Sequence, residues 1–409
     1  MRIALVDLLF SWPPHGGACV DVYHVAKELH ALGHEPHLFM LQVDGVRDRL
    51  GADPAALPFP STNIPIAPDA FTKRAVLDAI ERATAAFQPE LAIVCSAFFL
   101  KPFVIRAMHT QCPVIARYYA YEATAPFDAE RFPGGWGVDL SLFEQPEAVR
   151  RATLRGIRRE LRSGHHSSWA AEYLAAKAYE PGYAHECREA IARCSAAIVY
   201  NPRMAELLAP TGVRTAIVPG GVDLNTFSPP AERPLSPRKV ILMTGRTTDP
   251  AKGFAVLREA GAMLAAKRSD FEIRVTHPDP AINTPWLTAI GWQSHAGIQR
   301  LYREADIAVV PSVWPEPFGL VAVEAMACGV PAVVSDTGGL GGIPVHGKSG
   351  FNFPVGDAKA LATHLETLLD DEPLRQRMGQ AARQRAENAF AWPRVVEAHY
   401  GPLLAETVR

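Results

Sequence analysis

The chain has 409 residues, 48% of them hydrophobic, with 41 lysines and arginines against 43 acidic residues and six cysteines. That length exceeds one ordinary core and suits two domains of about 200 residues each. The near-balanced charge argues against a dedicated nucleic-acid binder, and no apolar stretch reaches the roughly 18 residues that a bilayer span needs.

Short β-branched runs alternate with helical patterns along the chain, which is the mark of parallel α/β architecture. The chain opens on an apolar strand, Arg2-Ile-Ala-Leu-Val-Asp7, and not on a leader. With six scattered cysteines and no C-x-x-C pair, it is expected to be cytoplasmic with free thiols. Strands are predicted at 3–9, 36–42, 91–95, 113–118, 196–200 and 215–219. The loop Ser11-Trp-Pro-Pro-His-Gly-Gly17 joins the first of them to a helix at 18–32. Paired glycines at Gly16 and Gly17 let backbone approach a ligand, and a helix start favours an anion. No G-x-G-x-x-G is present, so this is not a dinucleotide fingerprint. The fourth strand runs into Ile115-Ala-Arg-Tyr-Tyr-Ala-Tyr-Glu122, and a long aromatic-rich segment, 123–183, follows. A loop of that size is often functional. Its basic stretch 150–162 is read as a solvated, packed helix first and as a weak membrane-surface contact second. The adjacent His165-His166 pair has the wrong spacing for two metal ligands on one helical face.

Residues 220–238 are rich in Pro, Gly and polar groups and read as a linker. Strands are then predicted at 239–244, 272–276, 287–291, 307–311, 332–335 and 350–353. Gly245-Arg-Thr-Thr-Asp-Pro-Ala-Lys-Gly253 follows the first of these and sets Arg246 and Lys252 at the mouth of a sheet. Such cations suit diphosphate charge, although a solvated basic loop is the plainer account. His277 and Trp292 end two further strands and are candidates to line a base pocket, Trp292 by stacking unless it is packed. Ser335-Asp-Thr-Gly-Gly-Leu-Gly-Gly342 is read as backbone crowding. Asp357 caps a helix with an apolar face at Leu361, Leu365 and Leu368. A last helix carries Val395, Val396, Tyr400 and Leu403.

The most informative stretch runs from Val310 to Pro331 and holds Glu316 and Glu324. Pro317 suits a first helical turn, 318–327 supplies helix formers, and Gly329-Val-Pro331 stops them. One acid is therefore expected just before a helix and the other about two turns along it. Between them lie the N–H groups and positive dipole end of the helix, a seat for phosphate with a hydroxyl acceptor on either side. Two glutamates on a surface helix are ordinarily solvated charges. Here, however, Glu324 stands among Val321, Val323, Ala325 and Met326, where an unpaired carboxylate is costly. The strand before it places the helix start at the carboxyl end of a sheet.

The phrase Pro-Ser, Glu-Pro-Phe-Gly-Leu-Val, Glu-Ala-Met-Ala, Gly-Val-Pro resembles the E-x7-E signature of retaining family-4 (group 1) glycosyltransferases. Gly245-Arg246 with Lys252-Gly253 resembles the family's G-R…K-G motif. Val218–Phe227 resembles its strand-to-linker phrase, with Gly220 where asparagine is more usual. The resemblance implies a GT-B fold: two Rossmann-like doubly wound domains facing a cleft. An acceptor-binding domain would occupy 1–220, with a closing helix at about 391–409 packing back on it, and a nucleotide-sugar domain 221–390. It implies transfer of a sugar, with retention and without metal, from a nucleotide sugar to a hydroxyl or amine of a glycan, glycolipid or natural product. No cofactor is expected beyond the donor, for which a UDP-sugar is the first choice. Arg246, Lys252 and Glu316 would be catalytic. Gly16, Gly17, Arg246, Lys252, His277, Trp292, Glu316, Phe318, Gly319, Leu320, Val321 and Glu324 would bind the donor. Many relatives carry a histidine after the fourth strand, which this chain lacks. His15, Arg117, Tyr119 and Glu122 are the acceptor-side candidates in its place. The competing readings are a GT-B epimerase or phosphorylase, and a non-catalytic sugar-nucleotide-binding subunit.

Overall fold

The computed structural model describes residues 1–14, 16–43, 51–67, 73–97, 100–120, 183–232 and 236–407. The chain divides into two compact units, Met1–Val218 with Val396–Arg409, and Pro219–Val395. The resemblance implies these divisions at 220/221 and about 391.

The first unit holds seven strands: β1 (Arg2–Val6), β2 (Glu35–Val43), β3 (Ser61–Ile66), β4 (Leu91–Val94), β5 (Val114–Arg117), β6 (Ala196–Val199) and β7 (Thr215–Ile217). They form one parallel sheet in the order β3-β2-β1-β4-β5-β6-β7. The connecting helices are α1 (Gly17–Ala31), α2 (Lys73–Phe87), α3 (Lys101–His109), α4 (Tyr183–Ala192) and α5 (Pro202–Leu208). The four residues of β4, β5 and β6 are all buried, as a sheet covered on both faces requires. Sequence pattern misses β3. It is polar at Ser61, Thr62 and Asn63 and carries Pro65, which only an edge strand tolerates, and β3 is the edge.

The second unit holds β8 (Lys239–Met243), β9 (Phe271–Val275), β10 (Leu287–Ala289), β11 (Ile307–Val310), β12 (Ala332–Ser335) and β13 (Gly350–Phe353), parallel in the order β10-β9-β8-β11-β12-β13. Its helices are α6 (Phe254–Ala265), α7 (His295–Glu304), α8 (Leu320–Ala327), α9 (Ala358–Asp370) and α10 (Glu372–Arg385). Ile241, Leu257, Phe271, Leu365 and Met378 share its core. Each such side chain contributes roughly 1.5–3 kcal/mol on burial. Asp357 caps α9 by accepting from Ala360 N at 2.8 Å, and Leu361, Leu365 and Leu368 are buried as expected.

Strand order reverses between β1 and β4 in one sheet and between β8 and β11 in the other. Ligands of doubly wound sheets bind outside the carboxyl ends of strands at such a point. The loop after β8 carries Lys252 and the loop after β11 carries Glu316. In the first unit, Asp7 after β1 accepts from Ser96 N after β4 at 3.2 Å.

One helix start needs correction. α8 begins at Leu320, not at Pro317 or Phe318, because Gly319 takes a φ of +125° that interrupts the chain before it. Glu324 therefore stands about one turn inside the helix, roughly 6 Å from its start. The stop is as read: Gly329 (φ +69°) donates to Met326 O at 2.9 Å and Val330 N to Ala325 O at 3.0 Å, a Schellman closure.

Candidate functional site

The site of the second unit is assembled by glycine-mediated close packing. Asp249 accepts from Ala251 N at 3.0 Å and caps the short turn Pro250–Lys252. Gly253 follows with φ +72°, and a Cβ there would fall 1.8 Å from Pro311 O. The β8 loop is thus pressed on the end of β11, which brings Lys252 Nζ within 2.5 Å of Glu316 Oε1. Ser312 Oγ, fully buried, sits 2.7 Å from the same oxygen and 3.0 Å from Ala251 O. The Trp314 ring lies 5.7 Å from Lys252 Nζ. From the other side, Gly339 N donates to Glu316 O at 2.7 Å. A Cβ at Gly338 would meet that same oxygen at 2.2 Å, and one at Gly339 would meet Pro317 O at 2.1 Å. The glycine loop after β12 is therefore crowded backbone that clamps 316–317. Gly220 has a similar reason, since a Cβ there would strike the Phe318 ring at 2.7 Å.

The two acids are shifted in opposite directions. Burial pushes Glu316 up, but Lys252, Ser312 and Trp314 together outweigh it and hold the carboxyl below its ordinary range. Glu324 is 9% exposed, and burial pushes it up to about 8, opposed only by Tyr302. Tyr302 OH of α7 lies 3.5 Å from Glu324 Oε2, 3.0 Å from Val321 O and 2.7 Å from Thr244 Oγ1. The first N–H groups of α8, at Leu320 and Val321, have no acceptor within the helix and lie between the two carboxyls in the chain.

Three further loops are stitched together at the carboxyl ends of β8, β9 and β10. Thr276 Oγ1 donates to Gly245 O at 2.8 Å and Gly291 N to His277 O at 3.0 Å. Arg246 is exposed there. His277 is half-buried, accepts from Asp279 N at 3.1 Å and lies 5.4 Å from the Phe254 ring. Trp292 is 73% exposed, so the packed-aromatic alternative does not hold.

In the first unit, Gly16 and Gly17 are exposed at the start of α1, where Gly16 is the N-cap. His15, Glu122 and most of the 123–183 segment lie outside the described residues. Arg117 is corrected. At 1% exposure it is core, with Nη2 donating to Asp21 Oδ2 at 2.8 Å and its guanidinium 4.1 Å from the Tyr200 ring. Burial opposes its charge, and Asp21 outweighs burial to raise its pKa. Tyr200 OH donates to the same Asp21 oxygen at 3.0 Å. Tyr119 is half-buried, 5.2 Å from the guanidinium. Tyr118 is core, under the Lys101 ammonium at 3.8 Å.

Comparison with known proteins bears on the fold and on one stretch of the second unit. Residues 286–385 fit the family model described as glycosyl transferases group 1. The chain superposes on sucrose-phosphate synthase of Thermosynechococcus elongatus with a TM-score of 0.69, at 19% identity, over 99% of this chain and 98% of that one. It superposes on Anabaena HepE, solved with UDP and glucose, with a TM-score of 0.66, at 18% identity, over 100% and 99%. The fold is GT-B. A glycogen synthase of Mycobacterium tuberculosis is 31% identical over 258 residues, covering 58% of this chain and 59% of that protein. The chain thus spans less than two thirds of the length of this curated relative.

Within this GT-B chain, sequence pattern finds Lys252, Glu316 and Glu324 but misses Tyr302, Thr244, Ser312 and Asp21. Ser312 stands in the motif without a role, and the other three have no local signal. Among the described residues no group of three or more His, Cys, Asp or Glu could hold a metal ion. No helix among them is long and apolar enough to cross a membrane.

Proposed function

We propose that this protein transfers a sugar from a nucleotide-sugar donor to a hydroxyl or amine acceptor with retention at the anomeric carbon and without a metal. The observation that carries the reading is the second unit's switch point. There a Lys252–Glu316–Ser312 cluster and a buried Glu324 bracket the start of α8, which offers free N–H groups to a phosphate. In this reading Lys252, Arg246 and the amides of Leu320 and Val321 take up charge as the bond from the anomeric carbon to the diphosphate oxygen breaks. The electron pair leaves with the nucleoside diphosphate. The acceptor oxygen or nitrogen then bonds to the anomeric carbon on the same face, and its proton goes to a phosphate oxygen. Glu316 grips sugar hydroxyls and Glu324 the ribose. HepE was solved with UDP and glucose, which supports a UDP-sugar as first choice.

A thermal-shift panel of UDP-, ADP-, GDP- and dTDP-sugars tests this. A ligand at 100 times its Kd stabilises by about 2.7 kcal/mol, so one member is expected to raise the unfolding midpoint clearly. A flat response across all four overturns the reading. With the donor known, the anomeric configuration of the product, read by NMR, tests retention, and an unchanged rate under chelator tests metal independence.

A further inference from the structure

The hydroxyl of Tyr302 touches three oxygens but has a single proton. Val321 O, 3.0 Å away, is a carbonyl and can only accept, so the tyrosine proton belongs there. Thr244 Oγ1, at 2.7 Å, then donates to the tyrosine oxygen. That leaves the second lone pair of Tyr302 facing Glu324 Oε2 at 3.5 Å, and lone pairs on both oxygens repel unless a proton lies between them. The one group left to supply that proton is the Glu324 carboxyl. Among the described residues no cation acts on this carboxyl. Among the described residues the titratable group that acts on it is Tyr302 from α7, and Tyr302 in turn is influenced by Cys328 just past the end of α8. Arg383 of α10 donates to Ala327 O at 2.7 Å and to Phe227 O at 2.9 Å, not to the carboxyl.

We propose that Glu324 works in the donor site as a neutral carboxylic acid, its proton held toward Tyr302 and its Oε1 left to accept hydroxyls of the ligand. Tyr302 is thus a positioning residue, which fixes which oxygen of Glu324 faces the ligand. The proposal rests on the nucleotide-sugar reading above and deepens it. A neutral Glu324 also avoids setting a carboxylate about one helical turn from a diphosphate. Burial acts in the same direction and pushes the Glu324 carboxyl up to about 8. Its sign is definite: the neutral form is complete below that value and is lost as pH rises through it.

The test is calorimetric titration of the full chain with UDP, ADP and GDP between pH 7 and 9.5, above the second phosphate ionisation near pH 6. Glu324→Gln keeps an acceptor for the ligand and a donor for Tyr302. It is expected to bind the tightest of the three within about threefold of wild type, whereas Glu324→Ala falls by tenfold or more, on the order of one lost hydrogen bond. Wild-type affinity is expected to decline above about pH 8, and the Glu324→Gln profile to stay flat. Tyr302→Phe removes the acceptor that holds the acid's proton, so its declining limb moves to lower pH, a change that a merely structural role does not produce. Unfolding midpoints of each variant separate misfolding from lost contacts. A Glu324→Gln variant as weak as Glu324→Ala, or a wild-type affinity that rises through pH 8, overturns the neutral-acid proposal and leaves the nucleotide reading intact. Failure of wild type to bind any of the three overturns that reading itself.

Discussion

Each unit contains a cation paired with a carboxylate near the carboxyl end of its sheet, and the two pairs live under opposite physics. Arg117 and Asp21 have side chains 1% and 3% exposed, with Tyr200 stacked on the guanidinium and Tyr400 of the returning segment close enough to act on its charge. Lys252 and Glu316 are 22% and 11% exposed and keep one side open. The first pair is buried within its own unit and has almost no surface to offer. The second is held in place by glycines at 253, 338 and 339 and still reaches solvent. What distinguishes the two ion pairs here is access, not residue type.

The largest expected effect attacks the closed pair. Arg117→Met leaves Asp21 charged and buried, which costs about 3–5 kcal/mol, read as a lower urea midpoint. Adding Asp21→Leu recovers most of that loss, since two apolar groups replace a desolvated pair. Normal stability with impaired acceptor binding in the single variant would return Arg117 to the acceptor side and erase the contrast.

A smaller stability effect and a larger kinetic one are expected at the open pair. Lys252→Ala lowers turnover by about 10²–10³, the range for losing one charge-stabilising group. The unfolding midpoint drops only a few degrees, about 1 kcal/mol for a unit of this size. A large melting shift with turnover preserved would make Lys252 structural.

The smallest effect is on acid stability. Glu316 is held below its ordinary range by Lys252 and its hydroxyl and indole neighbours against the opposing effect of burial. A depressed carboxyl contributes stability above its unfolded pKa of about 4.3 and loses it as pH falls through the folded value. Glu316→Gln is expected to flatten the loss of second-unit stability below about pH 4. Hydrogen exchange of β11 and α8 amides reads that slope, and identical slopes in both proteins would mean that the pair adds nothing to folding.

Much of the molecule was legible from pattern, and the failures have local causes. Twelve of the thirteen strands were placed by apolar runs with ends shifted by a few residues at most, and β12 and β13 agree at both ends. Of the two difficult elements, β3 hid behind a proline that its edge position permits, and α8 began late because Gly319, packed close to Leu340, takes a positive φ. The spacing of Glu316 and Glu324 was visible because both acids lie on one short segment.

The sequence by itself determined what repeats over short range: alternating strands and helices, two sheets, and two acids around a helix start. Tertiary structure decided the state of each charge. Arg117 meets Asp21 across 96 residues and Tyr302 meets Glu324 across 22, and neither partner leaves a trace in local pattern. Whether a carboxyl is paired, neutral or exposed depends on what the fold brings within hydrogen-bond reach and how much water it removes. Only the assembled sheet edges supply that.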